Sequence, residues 1–255
     1  MNDGHMRDGH MDDGHTTGPS EPIAAGEGTD GSGALRIRVF TGPTLSHQDA
    51  GAVLPHAELR PPITVADLPE ALADGVDVVA IIDGAFVQSY SANPTQLIEC
   101  LRSGMAIYGA ASAGVLRAVE TERFGMRGIG QIFALFKAGY QAEDELLMSY
   151  DPDTLEALTV PMINVRYALD NAVAATVITP DDRVALGRVA KSQYFAQRTY
   201  RSIATDARRS MPRETVDRFQ TFVAEKGDDL DLKRLDALVC LREIDRWTAS
   251  LRIAA

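Results

Sequence analysis

Ordered alternation of apolar and polar positions begins at Leu35. LRIRVF alternates and runs into TGPT (41–44), which predicts a first strand ended by a Gly-Pro turn. Short helices are expected over 46–54 and 67–73, the second with Asp67 near its start. VDVVAII (76–82) is a continuous apolar run rich in β-branched residues, as a strand buried on both faces requires. The loop DGAFVQSYSAN follows, and Pro94 sits where the first turn of a helix favours proline, with the end expected near Gly104. MAIYG (105–109) reads as the next buried strand, 112–122 as a helix, 130–139 as another and 160–169 as one more strand. Beyond Asp181 the periodicity is helical and the sequence Arg-rich. Strands separated by helices of about ten residues imply a parallel sheet with crossover helices. The expected fold is α/β: a Rossmann-like three-layer core over 35–180, with an added C-terminal helical segment over 181–255 packed on it.

Residues 1–34 break this pattern. They hold eight of the 21 glycines and almost no branched or aromatic residues, too little apolar surface to offset the entropy of ordering. A disordered acidic tail is expected there. It repeats Asp-Gly-His, placing His5, His10 and His15 five apart, yet such a tail supplies no fixed ligand geometry, so no metal is expected. The acidic start lacks the apolar segment of a secretory signal, and no run approaches the ~20 apolar residues of a membrane span. Cys100 and Cys240 offer neither a disulfide framework nor a zinc spacing, and a cytoplasmic chain that does not engage membranes is expected.

Charge narrows the partners. The net charge is -11, but residues 183–255 carry fifteen Lys/Arg against ten acids. The acidic balance argues against sequence-independent nucleic-acid binding, which needs a basic surface to neutralise phosphates. The basic C-terminal part is either a set of solvated helix faces or a surface for an acidic protein.

In open α/β sheets ligands bind beyond the carboxyl ends of the strands. Three loops fall there: TGPT, with Gly42, Pro43 and Thr44; the turn after the second buried strand, with Asp83, Gly84 and Phe86; and GAASAG (109–114). If their strands are neighbours, Thr44, Asp83 and Ser112 converge on one crevice. Strand, A-x-S-x-G, helix is the layout of a nucleophile elbow. The amides of Ala113 and Gly114 would then open a helix and could hold an oxyanion. Equally, Ser112 could cap that helix for ~1 kcal/mol, the small residues reflecting close packing. No histidine follows Ser112, so a Ser-His-Asp triad in hydrolase order is excluded. Asp83 is either a sheet-edge carboxylate with a chemical role or an Asx-turn. Arg117 could meet an anionic substrate or form a structural ion pair. Glu143, Asp144 and Glu145 form an acidic cluster that either faces solvent or manages protons. His47 and His56 read as packing or surface residues.

Taken in order, VFTGPTLS, RPPITVADL, VAIIDGAF, IYGAASAGVLRAVETERFGMRGIGQIF and AGYQAEDELL resemble the TfuA-like core domain over about 37–150. Weaker similarity continues through NVRYAL, 194–200 and LKRLDAL. The resemblance implies a role beside YcaO enzymes, which use ATP to activate a backbone amide for sulfur insertion. It implies that the chain frees sulfide from a thiocarboxylated sulfur-carrier protein, with YcaO, that carrier and the precursor peptide as partners and without a cofactor. Ser112, Asp83, Asp144 and Glu145 would be the catalytic candidates. Gly42, Pro43, Thr44, Gly84, Phe86, Ala113, Gly114 and Arg117 would be the binding candidates. The sequence departs from the family pattern where a histidine aligns with Pro94, where another aligns with Ser149 or Tyr150, and where a methionine aligns with Ala113. Those departures imply the alternative of a non-catalytic adaptor.

Overall fold

The structure is a computed structural model that describes residues 35–84, 92–140 and 142–254. The Asp-Gly-His tail, Phe86 and most of the loop that follows Gly84 lie outside the described residues. In chain order the elements are β1 (Ile37–Phe40), α1 (His47–Val53), β2 (Glu58–Arg60), α2 (Asp67–Ala73), β3 (Val78–Ile81) and α3 (Pro94–Arg102). Next come β4 (Ala106–Ala110), α4 (Ala113–Thr121), β5 (Arg127–Ile129) and α5 (Gln131–Lys137). The rest is helical: α6 (Met162–Ala174), α7 (Pro180–Ser192), α8 (Tyr200–Ala207), α9 (Arg213–Lys226) and α10 (Leu232–Ala254).

The five strands pair in the order β2-β1-β3-β4-β5, every pairing parallel. Alternate residues of β3 serve opposite faces, as a pleated strand requires. Val79 and Ile81 pack with Leu68, Leu97 and Val115 of α2, α3 and α4, whereas Val78 and Ala80 pack with Ala50 of α1 and with Ala237, Leu241 and Ile244 of α10. This is the expected three-layer α/β core with added C-terminal helices. Among the helices after 181, α10 lies on the sheet, while α7, α8 and α9 gather with α6 around Met162, Leu186, Ile203 and Phe219 in a core of their own.

The strand expected over 160–169 is instead helix α6. Pro161 stands at its N-cap, and Met162, Ile163, Asn164, Val165, Ala168 and Leu169 are all buried. A helix enclosed on nearly every side shows no amphipathic period, and its β-branched residues then imitate a buried strand. The edge strands β2 and β5 were not anticipated. Each is three residues long, and neither contains a fully buried residue. Proline does open α3, beside a capping box in which Asn93 accepts from the Gln96 amide at 2.9 Å.

α4 meets the sheet at backbone distance. A Cβ on Gly114 would lie 1.8 Å from the Ile81 carbonyl oxygen, and one on Gly109 would lie 2.2 Å from the Gly114 oxygen. Gly114→Ala is therefore expected to cost ~3 kcal/mol or more, because backbone cannot yield as a side chain can. Gly51→Ala in α1 meets only Leu59 Cδ1 at 3.5 Å and should be neutral or stabilising by up to ~1 kcal/mol. Urea unfolding of the two variants checks the contrast.

Candidate functional site

β1 and β3 are neighbours, but the chain leaves β1 for one edge of the sheet and leaves β3 for the other. Their carboxyl ends thus form the switch point where a doubly wound sheet opens a crevice. Two of the three candidate loops meet there. Asp83 Oδ2 accepts from the amides of Gly42 and Thr44, each at 3.0 Å, and Asp83 Oδ1 accepts from the Thr44 hydroxyl at 2.6 Å. Thr44 and Asp83 are both buried. TGPT is fastened further by the Thr41 hydroxyl, which donates to the Leu45 carbonyl at 2.8 Å, and His47 Nε2 lies 3.2 Å from the Thr41 and Arg60 carbonyls. Gly84 continues the edge through a parallel bridge to Ile63. Pro43 is half-buried in the same turn.

The third loop follows β4, the next strand along. Ala111 carries a φ of 62°, and the Ser112 amide donates to the Ala110 carbonyl at 2.7 Å. Together these make a tight turn about a non-glycine residue with positive φ, a conformation that stores ~1–3 kcal/mol of strain. Ser112 then stands at the N-cap position of α4, yet its side chain makes no capping hydrogen bond. Among the described residues the hydroxyl has no partner, although the residue is only 3% exposed. The Val115 amide instead donates to the Ser112 carbonyl at 3.0 Å, and the Gly114 amide to the Ile82 carbonyl at 3.4 Å. Of the two amides considered for an oxyanion, that of Ala113 remains. The close approach of Gly109 and Gly114 accounts for the small residues of this loop, so packing and presentation of the serine are served by the same geometry.

The other candidates are engaged internally. Arg117 pairs with Glu120 on its own helix. Asp144 is exposed and meets Lys191 Nζ at 2.7 Å. Glu145, by contrast, is buried and takes a two-pronged contact from Arg166, Nε to Oε2 and Nη2 to Oε1, both at 2.7 Å. The Tyr140 hydroxyl donates to it as well, and Lys191 Nζ lies at 3.2 Å. Burial alone would push the Glu145 carboxyl up, but the donors from Arg166, Tyr140 and Lys191 outweigh it and hold the group at about 2. At neutral pH this is a fixed anion.

Sequence reasoning passed over a group of polar residues at the start of α10. Asp236 accepts from the Gln131 and Ile132 amides at 2.9 and 2.8 Å, capping α5 from a distant helix. Asp231 accepts from the Arg234 amide at 2.9 Å and from Asn164 Nδ2 at 2.8 Å, while Asn164 Oδ1 accepts from the Lys233 amide at 3.2 Å. Lys233 is 1% exposed. Its signal was present in the sequence: Lys233 and Asp236 stand in phase with Ala237, Cys240, Leu241 and Ile244, the buried stripe of α10. Cys100 and Cys240 are unpaired, and burial pushes both thiols up, which leaves neither as a ready thiolate.

Residues 83–199, a little under half of the chain, match the family model described as TfuA-like protein. Over that span the chain is similar to TfuA-like proteins. The match takes in Asp83, Ser112, Asp144 and Glu145, and it excludes TGPT and α10. No curated protein matches the chain. Among the described residues no three of His, Cys, Asp or Glu converge as metal ligands, and no helix is long and apolar enough to cross a membrane. On the C-terminal helices Arg208 pairs with Asp217 and Arg218 with Glu214, so part of the basic surface is engaged in internal pairs.

The Glu145 network makes stability depend on pH. Its folded value lies below the ordinary 4.5, so its contribution is complete above that value and is lost as pH falls toward about 2. Glu145→Gln should flatten the acid limb of a stability-versus-pH curve between roughly pH 4.5 and 2. Arg166→Ala should cost about 2–3 kcal/mol at pH 7, less than a fully enclosed pair because Lys191 remains and Arg166 is partly exposed. Thermal melts across pH check both.

Proposed function

We propose that this chain releases sulfide from the C-terminal thiocarboxylate of a sulfur-carrier protein, in support of a YcaO-type enzyme that installs a thioamide in a peptide backbone. The observation that carries the reading is the Ser112 hydroxyl: on a residue 3% exposed beside the crevice, raised on a strained turn and unused as a helix cap. A serine that merely capped α4 would direct its oxygen to the amides of the first turn. In the proposed reaction Ser112 attacks the thiocarboxylate carbon or orients a water. The Ala113 amide and the N-terminal dipole of α4 face the developing oxyanion. Asp83 acts by holding TGPT in place as one wall, and Gly42, Thr44 and Gly84 line that wall. Sulfide leaves more readily than an amine, which suits a modestly activated hydroxyl. The family match supports the general role, and the buried thiols disfavour a cysteine relay.

The internal engagement of Asp83, Glu145 and Arg117 favours a second reading, a non-catalytic adaptor that docks YcaO, its peptide or the carrier. The two readings separate on Ser112→Ala, measured for both melting temperature and sulfide release from a thiocarboxylated carrier. Sulfide release should fall by ~10³-fold while the melting curve barely moves, since no cap is lost. Undiminished release would remove Ser112 from the mechanism. A wild-type chain that frees no sulfide yet co-purifies with its YcaO would establish the adaptor. Asp83→Asn should depress both readouts, because its one remaining oxygen can accept either from the Gly42 and Thr44 amides or from the Thr44 hydroxyl, and the nitrogen that replaces the other oxygen cannot accept.

A further inference from the structure

Between α5 and α6 the chain makes an excursion that returns to the crevice. Its stem is held by backbone contacts: the Leu158 amide donates to the Ser149 carbonyl at 2.9 Å, and Tyr150 and Ala157 form an antiparallel bridge. At its tip the Asp151 carboxylate accepts from the Asp153 and Thr154 amides, each at 2.9 Å, and the Leu155 amide donates to the Asp151 carbonyl at 2.8 Å. Leu155 has a φ of 60°, a conformation that a leucine keeps only where its surroundings hold it there. The result is a defined position. A Cβ added to Gly42 would fall 3.4 Å from Leu155 Cδ1, so the leucine lies against the TGPT wall of the crevice. The excursion then joins the turn over 194–198, where the Val160 amide donates to the Arg198 carbonyl at 2.8 Å. On these joined segments stand Leu158, 59% exposed, and Tyr194, 62% exposed, the two most exposed large apolar side chains among the described residues. Phe195 braces Tyr194, with ring centroids 4.6 Å apart. Asp153 and Glu156 are exposed on the same excursion and, among the described residues, make no ion pair.

We infer that this excursion receives the sulfur-carrier protein, Leu155 bearing on its tail and Leu158 with Tyr194 on its folded body; the assignment rests on the reaction proposed above. A thiocarboxylate at the end of a protein tail reaches Ser112 only if the body of that protein stops at the mouth of the crevice. The surface that stops it must adjoin a crevice wall, and the excursion does so where Leu155 meets Gly42. An exposed tyrosine braced by a second ring is a preorganised anchor, since little side-chain freedom is left to lose on binding. The charges define the complement. Asp153 and Glu156 beside an apolar centre call for a carrier face in which Lys or Arg residues surround apolar ones. The strain at Leu155 fits the same role: a residue held against its preference at the edge of a site is kept there for what it touches.

The test compares two substrates on the full chain: a carrier protein ending in a thiocarboxylate, and a short synthetic peptide of its last residues ending in the same group. The double variant Leu158→Ser, Tyr194→Ala should raise KM for the carrier by ~10-fold or more with kcat held, because it removes binding and no chemistry. The short peptide has no body to dock, so its KM should not change. Both replaced residues are exposed, and the melting temperature should stay within a few degrees of the wild type. Leu155→Asn should raise KM for both substrates, since it meets the tail; asparagine tolerates a positive φ, so the fold should not suffer. Carrier binding should weaken as salt rises, and Asp153→Asn with Glu156→Gln should flatten that dependence. A double variant that keeps the wild-type KM for the carrier overturns the assignment, as does one that loses both substrates alike together with its melting temperature. So does a double variant that binds the carrier normally and loses only its YcaO. If the wild type frees no sulfide, the reaction proposed above fails, and calorimetric titration with the carrier in its carboxylate form still decides the surface. Binding that the double variant weakens by ~10-fold or more sustains the docking role. Absent binding, or binding indifferent to the variant, rejects it.

Discussion

Opening a parallel sheet between β1 and β3 leaves the backbone amides of the loop after β1 in need of acceptors, and one carboxylate at the end of β3 answers them. Asp83 receives Gly42, the Thr44 amide and the Thr44 hydroxyl, and its own carbonyl accepts from the Ile63 amide at 2.9 Å. Charge-assisted bonds of this kind are roughly twice as strong as neutral ones and tolerate little displacement. The position of TGPT, the end of β3 and the route toward Gly84 therefore depend on a single side chain. A crevice wall made this way is rigid, which a binding surface for the tail of another protein requires.

α10 is secured by a different kind of contact. Asp231 and Asn164 exchange hydrogen bonds with the first turn of α10, and Asp236 caps α5. Gly130, with a φ of 101°, is what lets Asp236 approach, for a Cβ there would fall 2.3 Å from its Cγ. Polar groups buried to this extent stabilise little in total but penalise any other placement of the helix. They fix the amino end of α10, a helix outside the family match that packs beside Ala110 and Ala111, the residues leading into Ser112.

The sequence made the central elements legible where periodicity and punctuation agreed. Helix α2 spans the expected 67–73, α3 opens on Pro94, and the two buried strands follow their β-branched runs. It misled where burial was complete, because α6 hides its helical period. It was silent on β2 and β5, whose three residues each are held by partners rather than by propensity. For the site, convergence of the three loops depended on their strands being neighbours, which the sequence does not fix and the order β1-β3-β4 meets. What could not be read was the state of each side chain. Three consecutive acids look alike in sequence, yet the structure buries Glu145 beneath Arg166 and leaves Asp144 in solvent, a difference set by α6 and α7 some twenty to fifty residues away.

The remaining chemical inventory bears on which reaction is feasible. Hydrolysis of an ordinary amide needs a strongly activated nucleophile, a donor for the leaving amine and an oxyanion site of more than one amide, each donor there being worth ~10²–10³ in rate. Here the Gly114 amide is engaged by the Ile82 carbonyl, no histidine follows the serine, and the crevice carboxylate is held by three donors. Such a site is poorly equipped against an amide. A thiocarboxylate makes smaller demands: its leaving sulfur is stable as an anion, and its negative charge is favoured by the Ala113 amide and the dipole at the N-terminus of α4. The sparse equipment around Ser112 therefore argues for a labile acyl sulfur substrate over a peptide bond, which is the substrate class the family resemblance implies on separate grounds.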